Sequence, residues 1–221
     1  MGLRELKKEQ TRQLIADTAW RLFADRGFDQ VTVAEVAREA MVAPATAFNY
    51  FPNKEDLFFF RLEAFGSRLL EAIRTRRQGE PALAAFRRYV LQPAGLLGEL
   101  EAGDPQALER LRTVHRMIAA SPALQAREQR ALSDYAAALA ELLAIETRAP
   151  IDDVRARVAA HAFMGVQRAL IDHVRRRVLD DDRPDRLAAD VRRLGKRAFA
   201  LLEHGLGDYA PKPRMRPASP V

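Results

Sequence analysis

The stretch TVAEVAREAMVAPATAFNYFPNK, residues 32–54, decides the fold of this chain. It contains two short helical patterns joined by a connection too short for anything but a turn. The first pattern starts at Thr32 and has Glu35 three residues later, which is the spacing of a capping box. Pro44 can open the second pattern, because its missing N–H would be unpaired at the first helical position. Two short helices around a tight turn predict a helix-turn-helix, whose second helix usually lies in the DNA major groove.

The boundaries of this unit can be predicted from the same stretch. Residues 41–43 form the turn, and residues 45–50 form the second helix. Residues 51–53 end that helix, and Asn53 can cap a long helix that begins near Lys54. The first helix has one apolar face at helical spacing, formed by Val33, Val36, Ala37 and Ala40.

Composition excludes several classes of protein. The 221 residues include 48% hydrophobic and 30% charged residues and no cysteine, which excludes disulfides, Cys-based zinc sites and thiol catalysis. No apolar run approaches the roughly 20 residues of a membrane span. The first residues, MGLRELKKEQTR, lack the apolar segment of a secretory signal. We therefore expect a cytoplasmic protein that does not enter the membrane.

The net charge of +6 favours a nucleic-acid partner, but its distribution does not. Residues 1–60 contain eight Lys and Arg against nine Asp and Glu, a net charge of −1. Residues 61–221 contain 28 Lys and Arg against 21 Asp and Glu, a net charge of +7. The hypothesis of DNA binding therefore depends on the motif rather than on overall charge.

The remainder of the chain predicts more helices and no strand. A first helix covers residues 3–26 and ends at Gly27, and the long helix from Lys54 continues to about Arg77. The buried face of the first helix is predicted to contain Leu14, Ile15, Ala19, Leu22 and Phe23, with Trp20 beside them. The inner faces of the long helix are predicted to contain Leu57, Phe58, Arg61, Leu62, Phe65, Leu69 and Ile73.

Proline next to a helix start marks each later helix. The chain is therefore predicted to be all-α: an N-terminal three-helix helix-turn-helix domain, residues 1–53, and a C-terminal helical bundle, residues 54–209. Residues 210–221 form a basic Pro-rich tail that we expect to be disordered. The later helices open at Pro81, at Asp104–Pro105, at Ser121–Pro122 (to about Thr147), at Pro150 with Asp152 and Asp153 (to about Val178) and at Pro184 (to near Gly205).

The segments TVAEVAREA, PATAFNYF and NKEDL together resemble the N-terminal domain of the TetR/AcrR family of transcription regulators. The resemblance covers about residues 8–60. The chain departs from the family pattern at Met41, where Gly is usual, at Ala43, where Ser is usual, and at Phe48, where Tyr is common. The resemblance implies a dimer that binds a palindromic operator, most often as a repressor released by a small ligand.

The predicted DNA contacts come from helix geometry and from this resemblance. Thr46 or Ala45 can touch a thymine methyl, and Asn49 can either read adenine through two hydrogen bonds or bond a phosphate. The resemblance implies that Thr32, Tyr50 and Lys54 contact phosphates, and a helix N-terminus aimed at a phosphate would add to the effect of Lys54. The predicted DNA-binding residues are Thr32, Val33, Pro44, Ala45, Thr46, Asn49, Tyr50 and Lys54.

Residues 111–144 loosely resemble the effector domain of the mycofactocin-regulator branch of the family, which is associated with acyl-CoA-like ligands. The resemblance implies a small hydrophobic or acyl-CoA-like effector, and Arg116 or Arg168 could pair with an anionic head group. Each candidate could equally be a simple core residue. The candidates are Phe86, Tyr89, Val114, His115, Ile118, Tyr135, Phe163, Met164 and Arg168.

The last two helices are the predicted homodimer surface. Small residues permit close helix packing, and in the resembling family two such helices from each subunit form a four-helix interface. The small residues are Ala159, Ala162, Gly165 and Ala169, and the apolar area comes from Val158, Val166, Leu170, Leu194, Ala198, Leu201 and Leu202.

We predict no catalytic site, metal site or cofactor. The four histidines lack the HExxH spacing, and the chain contains neither a Walker sequence nor GxGxxG. Two alternatives to a ligand-released regulator stay open at this point. One is a regulator controlled by a partner protein, with a filled core, and the other is an all-helical enzyme.

Overall fold

Ten α-helices make up the regular structure in a computed structural model that describes residues 2–92, 94–180 and 186–206, apart from the side chains of Leu3, residues 61–64 and Leu206. The predicted all-α fold is confirmed. The first five helices are α1 (Leu3–Arg26), α2 (Val33–Glu39), α3 (Pro44–Tyr50), α4 (Lys54–Arg74) and α5 (Ala82–Val90). The others are α6 (Gly95–Glu101), α7 (Ala107–Ala120), α8 (Pro122–Thr147), α9 (Val154–Leu179) and α10 (Leu187–Leu206).

The capping signals of the sequence produce the predicted helix starts. The Thr32 hydroxyl accepts a hydrogen bond from the Glu35 N–H at 3.2 Å, and the Thr32 N–H donates to the Glu35 carboxylate at 2.8 Å. Asn53 caps α4, because its side-chain oxygen accepts from the Asp56 N–H at 2.9 Å. Asp153 does the same for α9 through the Arg155 N–H. Each bond satisfies a backbone donor that the first helical turn leaves unpaired.

Two helix predictions differ from the structure. The sequence predicts α4 to about Arg77, but it ends at Arg74, and the Arg76 side chain turns back to the Ile73 carbonyl oxygen at 2.7 Å. Helix α6 was not predicted, because its seven residues include two glycines and bury no side chain. The predicted start at Pro184 and the predicted tail, residues 210–221, lie outside the described residues.

Contacts divide the chain into two compact units. The first contains the described residues up to Phe65 together with Arg116–Glu128, and the second contains Gly66–His115 and the described residues from Gln129 onward. Helix α4 therefore starts in the first unit and ends in the second. A domain boundary at residue 53 remains a prediction.

An aromatic cluster forms the core of the first unit. The Phe58 ring lies 5.1 Å from Trp20, 6.3 Å from Phe23, 5.7 Å from Phe28 and 5.1 Å from Phe59, measured between ring centroids. The cluster therefore joins α1, the α1–α2 loop and the first turns of α4 through a single side chain that has no exposed surface.

Most of the predicted apolar face of α1 is buried, with one correction. Ile15, Ala19, Leu22 and Phe23 are buried as predicted, but Leu14 is 49% exposed. A helix turns by about 100° per residue, so Leu14 lies beside the buried stripe rather than on it. On α4, the predicted burial of Leu57, Phe58, Leu69 and Ile73 is confirmed, Phe65 is half-buried, and the side chains of Arg61 and Leu62 lie outside the described part.

Residues 116–128 join the first unit through polar contacts. The Arg127 guanidinium lies 3.1 Å from the Asp56 carboxylate and 5.7 Å from the centroid of the Phe59 ring. The Ser121 hydroxyl donates to Asp29 at 3.2 Å. These contacts connect the α7–α8 corner to α4 and to the α1–α2 loop, within the unit that contains the helix-turn-helix.

In the second unit, α9 packs against α10, and three phenylalanines pack in its core. The Phe86 ring centroid lies 5.3 Å from that of Phe163 and 5.9 Å from that of Phe199, and all three side chains are fully buried. The rings thereby link α5, α9 and α10.

A buried ion pair fixes the end of α4 in the second unit. The Arg76 guanidinium donates to both oxygens of the Glu146 carboxylate, at 2.9 and 2.5 Å, and its Nε donates to the Glu80 carbonyl at 2.9 Å. The Arg76 side chain has no exposed surface, and that of Glu146 is 16% exposed. Such a two-fold contact fixes both planar groups.

The turn of the helix-turn-helix has a left-handed residue at Met41. Helix α2 ends in a Schellman motif, in which the Val42 N–H donates to the Ala37 carbonyl at 2.9 Å and the Met41 N–H donates to the Arg38 carbonyl at 3.1 Å. This motif places Met41 at φ 55°, and its side chain is 91% exposed. A side chain at such a φ is strained, whereas Gly is not.

We therefore expect Met41→Gly to stabilise the protein by up to about 1 kcal/mol, because relief of the strain exceeds the added entropy of the unfolded chain. Urea unfolding measures the change. Met41→Ala is the matched control, since it removes the same exposed side chain and keeps the strain. Equal stabilities for the two variants would contradict the role assigned to φ.

Arg76→Ala should destabilise the protein by about 3–5 kcal/mol, because it leaves the Glu146 carboxylate without its partner. The double variant Arg76→Met with Glu146→Leu should recover much of that loss, since it leaves no buried charge. Urea unfolding of the two variants tests this. An Arg76→Ala variant as stable as the parent would show that the ion pair does not hold α4.

Candidate nucleic-acid interface

Helix α3 has one outward face and one buried face. Pro44, Ala45, Phe48 and Asn49 are exposed, whereas Ala47 is fully buried. Thr46 and Tyr50 are half-buried at the edges of the outward face. Of the predicted base-reading residues, Pro44, Ala45 and Asn49 therefore lie together on the exposed side, and Thr46 lies at its edge. Whether they contact DNA remains a prediction.

The start of α3 lacks a side-chain cap. Ala43 occupies the N-cap position and makes no capping hydrogen bond, as expected from the departure from the family pattern there. Pro44 at the first helical position reduces the need for a cap, because it has no N–H. The start of this helix is therefore held by proline geometry rather than by a side chain.

Two predicted DNA-binding residues at the start of α2, Thr32 and Val33, make contacts within the chain. The Thr32 hydroxyl donates to the Glu35 carboxylate at 2.9 Å, and the hydrogen bonds from Thr32 lower the pKa of Glu35. Thr32 is nevertheless exposed. Val33 is only 8% exposed, so its side chain belongs to the core rather than to the exposed surface.

Lys54 makes a contact that the sequence did not indicate. Its ammonium donates to the Phe28 carbonyl at 2.9 Å and lies 4.2 Å from the centroid of the Phe28 ring. An ammonium has three N–H donors, so two remain for a phosphate. The contacts hold the charge at the start of α4, where the predicted phosphate contact requires it.

A cleft in the first unit brings the start of α1 next to the end of α3. Its volume is about 560 Å³, and its lining includes the predicted contacts Asn49 and Tyr50. Arg12 lies 5.5 Å from the Phe51 ring centroid and 4.6 Å from that of Phe60, which fixes its guanidinium beside α3. The sequence did not indicate that Lys8 and Arg12, near the start of α1, lie beside the end of α3. The cleft is lined by Glu5, Lys8, Glu9, Arg12, Asn49 and Tyr50.

The predicted effector-binding residues differ in burial and do not all lie in the same unit. Val114, His115, Phe86, Phe163 and Met164 are buried in the second unit, whereas Ile118 is buried in the first. Tyr89 and Tyr135 are half-buried, and burial raises the pKa of Tyr89. Arg168 is exposed on α9, so it does not belong with the buried residues, and Arg116 is exposed as well. In this conformation, Phe86 and Phe163 fill the core by packing on each other.

His115 is the polar exception among the buried candidates. Its side chain is 7% exposed, and its Nδ1 has no hydrogen-bond partner. Burial, helped by the charge of Arg175, lowers its pKa from 6.5 to about 4, so the ring is neutral near pH 7. An unsatisfied nitrogen in an apolar core costs free energy unless something bonds it.

Tyr135 lies directly on α4. A Cβ atom added to Gly66 would stand 2.0 Å from Tyr135 Cε1, so the Tyr135 ring can take this position against α4 only with glycine at residue 66. Of the predicted effector residues, Tyr135 is thus in contact with the helix that continues from the helix-turn-helix.

Three residues of the predicted dimer face on α9 do not lie on its exposed face. Ala159, Val166 and Leu170 are buried within the chain, so they are not available to a second subunit. Val154 and Val158 are 69% and 57% exposed. Helical periodicity continues this stripe to Ala162, Gly165 and Ala169, of which Ala162 is half-buried and the other two are exposed. On α10, Leu201 is 80% exposed, and Leu194, Ala198 and Leu202 are half-buried.

Comparison with known proteins determines the family. The model of the family described as "Bacterial regulatory proteins, tetR family" matches residues 15–59, and the model described as "MftR C-terminal domain" matches residues 80–207. The chain is 30% identical to the HTH-type transcriptional regulator TcmR of Streptomyces glaucescens over 172 residues, which cover 76% of this chain and 75% of that protein. The chain belongs to the TetR family. It is a transcription regulator and not an enzyme, as predicted.

Solved structures of other TetR-family regulators have the same fold. A SmeT–triclosan complex matches with a TM-score of 0.56 at 17% identity, covering 96% of this chain and 100% of that one. NalD, the secondary repressor of the MexAB-OprM pump in Pseudomonas aeruginosa, matches with a TM-score of 0.54 at 21% identity. The match covers 87% of this chain and 96% of that one. FadR of Thermus thermophilus in complex with lauroyl-CoA matches with a TM-score of 0.51 at 21% identity. The match covers 95% of this chain and 100% of that one.

Two further observations concern only the described part of this TetR-family chain. No helix there is long and apolar enough to cross a membrane. Among the same residues, no three His, Asp or Glu side chains are grouped as metal ligands would be.

The neutral His115 predicts a pH dependence of stability. Below pH 6.5 the unfolded chain binds a proton at this site that the folded chain takes up only near pH 4. Stability therefore falls as pH falls through this window, by up to about 3 kcal/mol. His115→Gln should show a smaller loss of unfolding free energy between pH 7 and pH 4.5 in urea titrations. Parallel losses for parent and variant would contradict the burial of a neutral ring.

Proposed function

We propose that this TetR-family regulator is a repressor that binds a palindromic operator as a homodimer and is released by a small hydrophobic effector. The exposed face of α3 supports this proposal most directly. Within the first unit it is the outward side of the second helix of a helix-turn-helix, and Asn49 on it can pair with adenine. The proposed DNA contacts are Pro44, Ala45, Thr46, Asn49 and Tyr50, with Thr32 and Lys54 on phosphates.

The proposed homodimer depends on the exposed stripe of α9. Val154 and Val158 expose apolar surface there, and Gly165 lies in open space with no neighbouring atom where a Cβ would stand. Small residues along a helix allow a second helix to approach closely. A symmetric pair of α9–α10 faces would bury this stripe and Leu201, which is otherwise in contact with water.

The proposed effector is a small molecule with an apolar body, and acyl-CoA-like compounds are one candidate class. The buried rings of Phe86 and Phe163 would supply apolar contacts on rearrangement, and His115 would supply one hydrogen bond to a polar atom of the ligand. SmeT with triclosan and FadR with lauroyl-CoA illustrate the range of apolar ligands on this fold.

The proposed switch uses α4. A ligand that displaces Tyr135 would release or push Gly66, and α4 carries that movement toward the helix-turn-helix along its own axis. Phe65, Leu69 and Ile73 follow on the same helix and would transmit the movement. A dimer that reads a palindrome holds its recognition helices about 34–36 Å apart. An effector that favours another separation lowers operator affinity, and by reciprocity the operator lowers effector affinity.

Selection of duplex DNA from a random library tests the proposed DNA binding. We expect a palindromic site whose half-sites repeat at one helical turn, about 10 base pairs. Asn49→Ala should weaken binding to that site by about 5- to 150-fold and change binding to random DNA little. Recovery of no preferred sequence would contradict the proposal.

Gly165→Glu tests the proposed dimer. Because the space around Gly165 is open within the chain, the added side chain should leave the subunit folded, while its charge and bulk should block a second α9. Sedimentation should show dimer for the parent and monomer for the variant. Ala137→Glu, on an exposed position of α8, is the matched control and should remain dimeric. A dimeric Gly165→Glu protein with parental stability would place the interface elsewhere.

A further inference from the structure

The outward face of α3 is unusual in its chemistry for a surface that binds a polyanion. Residues 40–53 contain no Asp, Glu, Lys, Arg or His. Phe48 is 49% exposed, and Pro44 and Ala45 beside it on the same face are exposed as well. Asn49 is the one fully polar exposed side chain on α3. The surface that would enter the groove is therefore apolar with a single amide.

The edges of the bases limit what such a surface can recognise. In the major groove, guanine presents two acceptors that are best met by Arg or Lys, and α3 has neither. Thymine presents a C5-methyl group, which is matched by apolar side chains. Asparagine pairs with adenine, the partner of thymine. The apolar face and the amide therefore both select A·T pairs.

Phe48 has the position and the area for this contact. Position 48 is one helical turn after Pro44 and next to Asn49, so Ala45, Phe48 and Asn49 form a continuous patch. The Phe48 ring has no hydroxyl, so it cannot donate to a phosphate as a tyrosine would. Half of its surface is in water in the free protein, and contact with a methyl group would remove part of it from water.

We infer that this regulator reads its operator through pyrimidine C5-methyl groups of thymine, which pack against Ala45 and Phe48, with Asn49 on an adjacent adenine. This inference rests on the proposed function, because it requires α3 to be the reading helix. It adds Phe48 as a second side chain on the thymine methyl group, beside Ala45, and makes that methyl group the main determinant of specificity.

The test compares operators with and without the methyl groups. The operator selected from a thymidine library is resynthesised with deoxyuridine at each thymine in turn, which removes only the methyl group. Loss of a buried methyl is expected to weaken binding about four-fold at each contacted position. Full replacement by deoxyuridine should weaken it by the product of these factors, while phosphate contacts and the salt dependence stay unchanged.

Two protein variants assign the contact. Phe48→Ala should lose the sensitivity to deoxyuridine at the thymine that the ring touches, whereas Phe48→Tyr should retain it. Because the side chain is half exposed, both variants should fold, which circular dichroism checks. An operator with 5-methylcytosine in place of cytosine at other positions is the control, and it should bind no better than the unmethylated operator.

The outcomes separate the inference from the function on which it rests. A preferred sequence that binds equally well with thymine and deoxyuridine at every position would overturn methyl reading and leave operator binding intact. Sensitivity to deoxyuridine that Phe48→Ala does not change would overturn the assignment to Phe48. Failure to select any sequence would overturn both the proposed function and the inference.

Discussion

The ring of Phe58 is the contact on which the helix-turn-helix unit depends. It is fully buried and packs against Trp20, Phe23, Phe28 and Phe59, so one side chain fixes α1, the α1–α2 loop and α4 together. Offset and edge-on ring pairs add to the free energy that burial of their area supplies. The start of α4 therefore cannot change its angle without disturbing the core that supports the reading helix.

The other end of α4 is held by a different force. The Arg76 guanidinium binds both oxygens of Glu146 inside the second unit, and it also bonds the Ile73 and Glu80 carbonyls. An ion pair that is this deeply buried is costly to break, because the remaining charge would lose its partner in a poor solvent. Between these two ends, the close approach of Tyr135 to Gly66 is the contact at which a small displacement could reach α4.

The sequence predicted the contacts between residues that are close in the chain and missed those between residues that are distant in it. The capping of α2 by Thr32 and of α4 by Asn53 depends on residues three positions apart, so it could be predicted. The exposed Leu14 and the buried Ala159 were wrong by one helical step of about 100°, because an alanine-rich pattern defines the inner face poorly. The pair Arg76–Glu146 joins residues 70 positions apart, and no sequence period indicates it.

The charges of residues 1–60 suit DNA binding through a few fixed contacts rather than through a general basic field. Residues 1–60 have a net charge of −1, so a general basic field on this segment contributes little to the long-range attraction of DNA. The cations near α3 are instead held in place: Arg12 by the rings of Phe51 and Phe60, and Lys54 by the Phe28 carbonyl. A side chain that is already ordered loses less entropy when it meets a phosphate. With weak attraction to random DNA, the apolar face of α3 can determine most of the preference for one site over another.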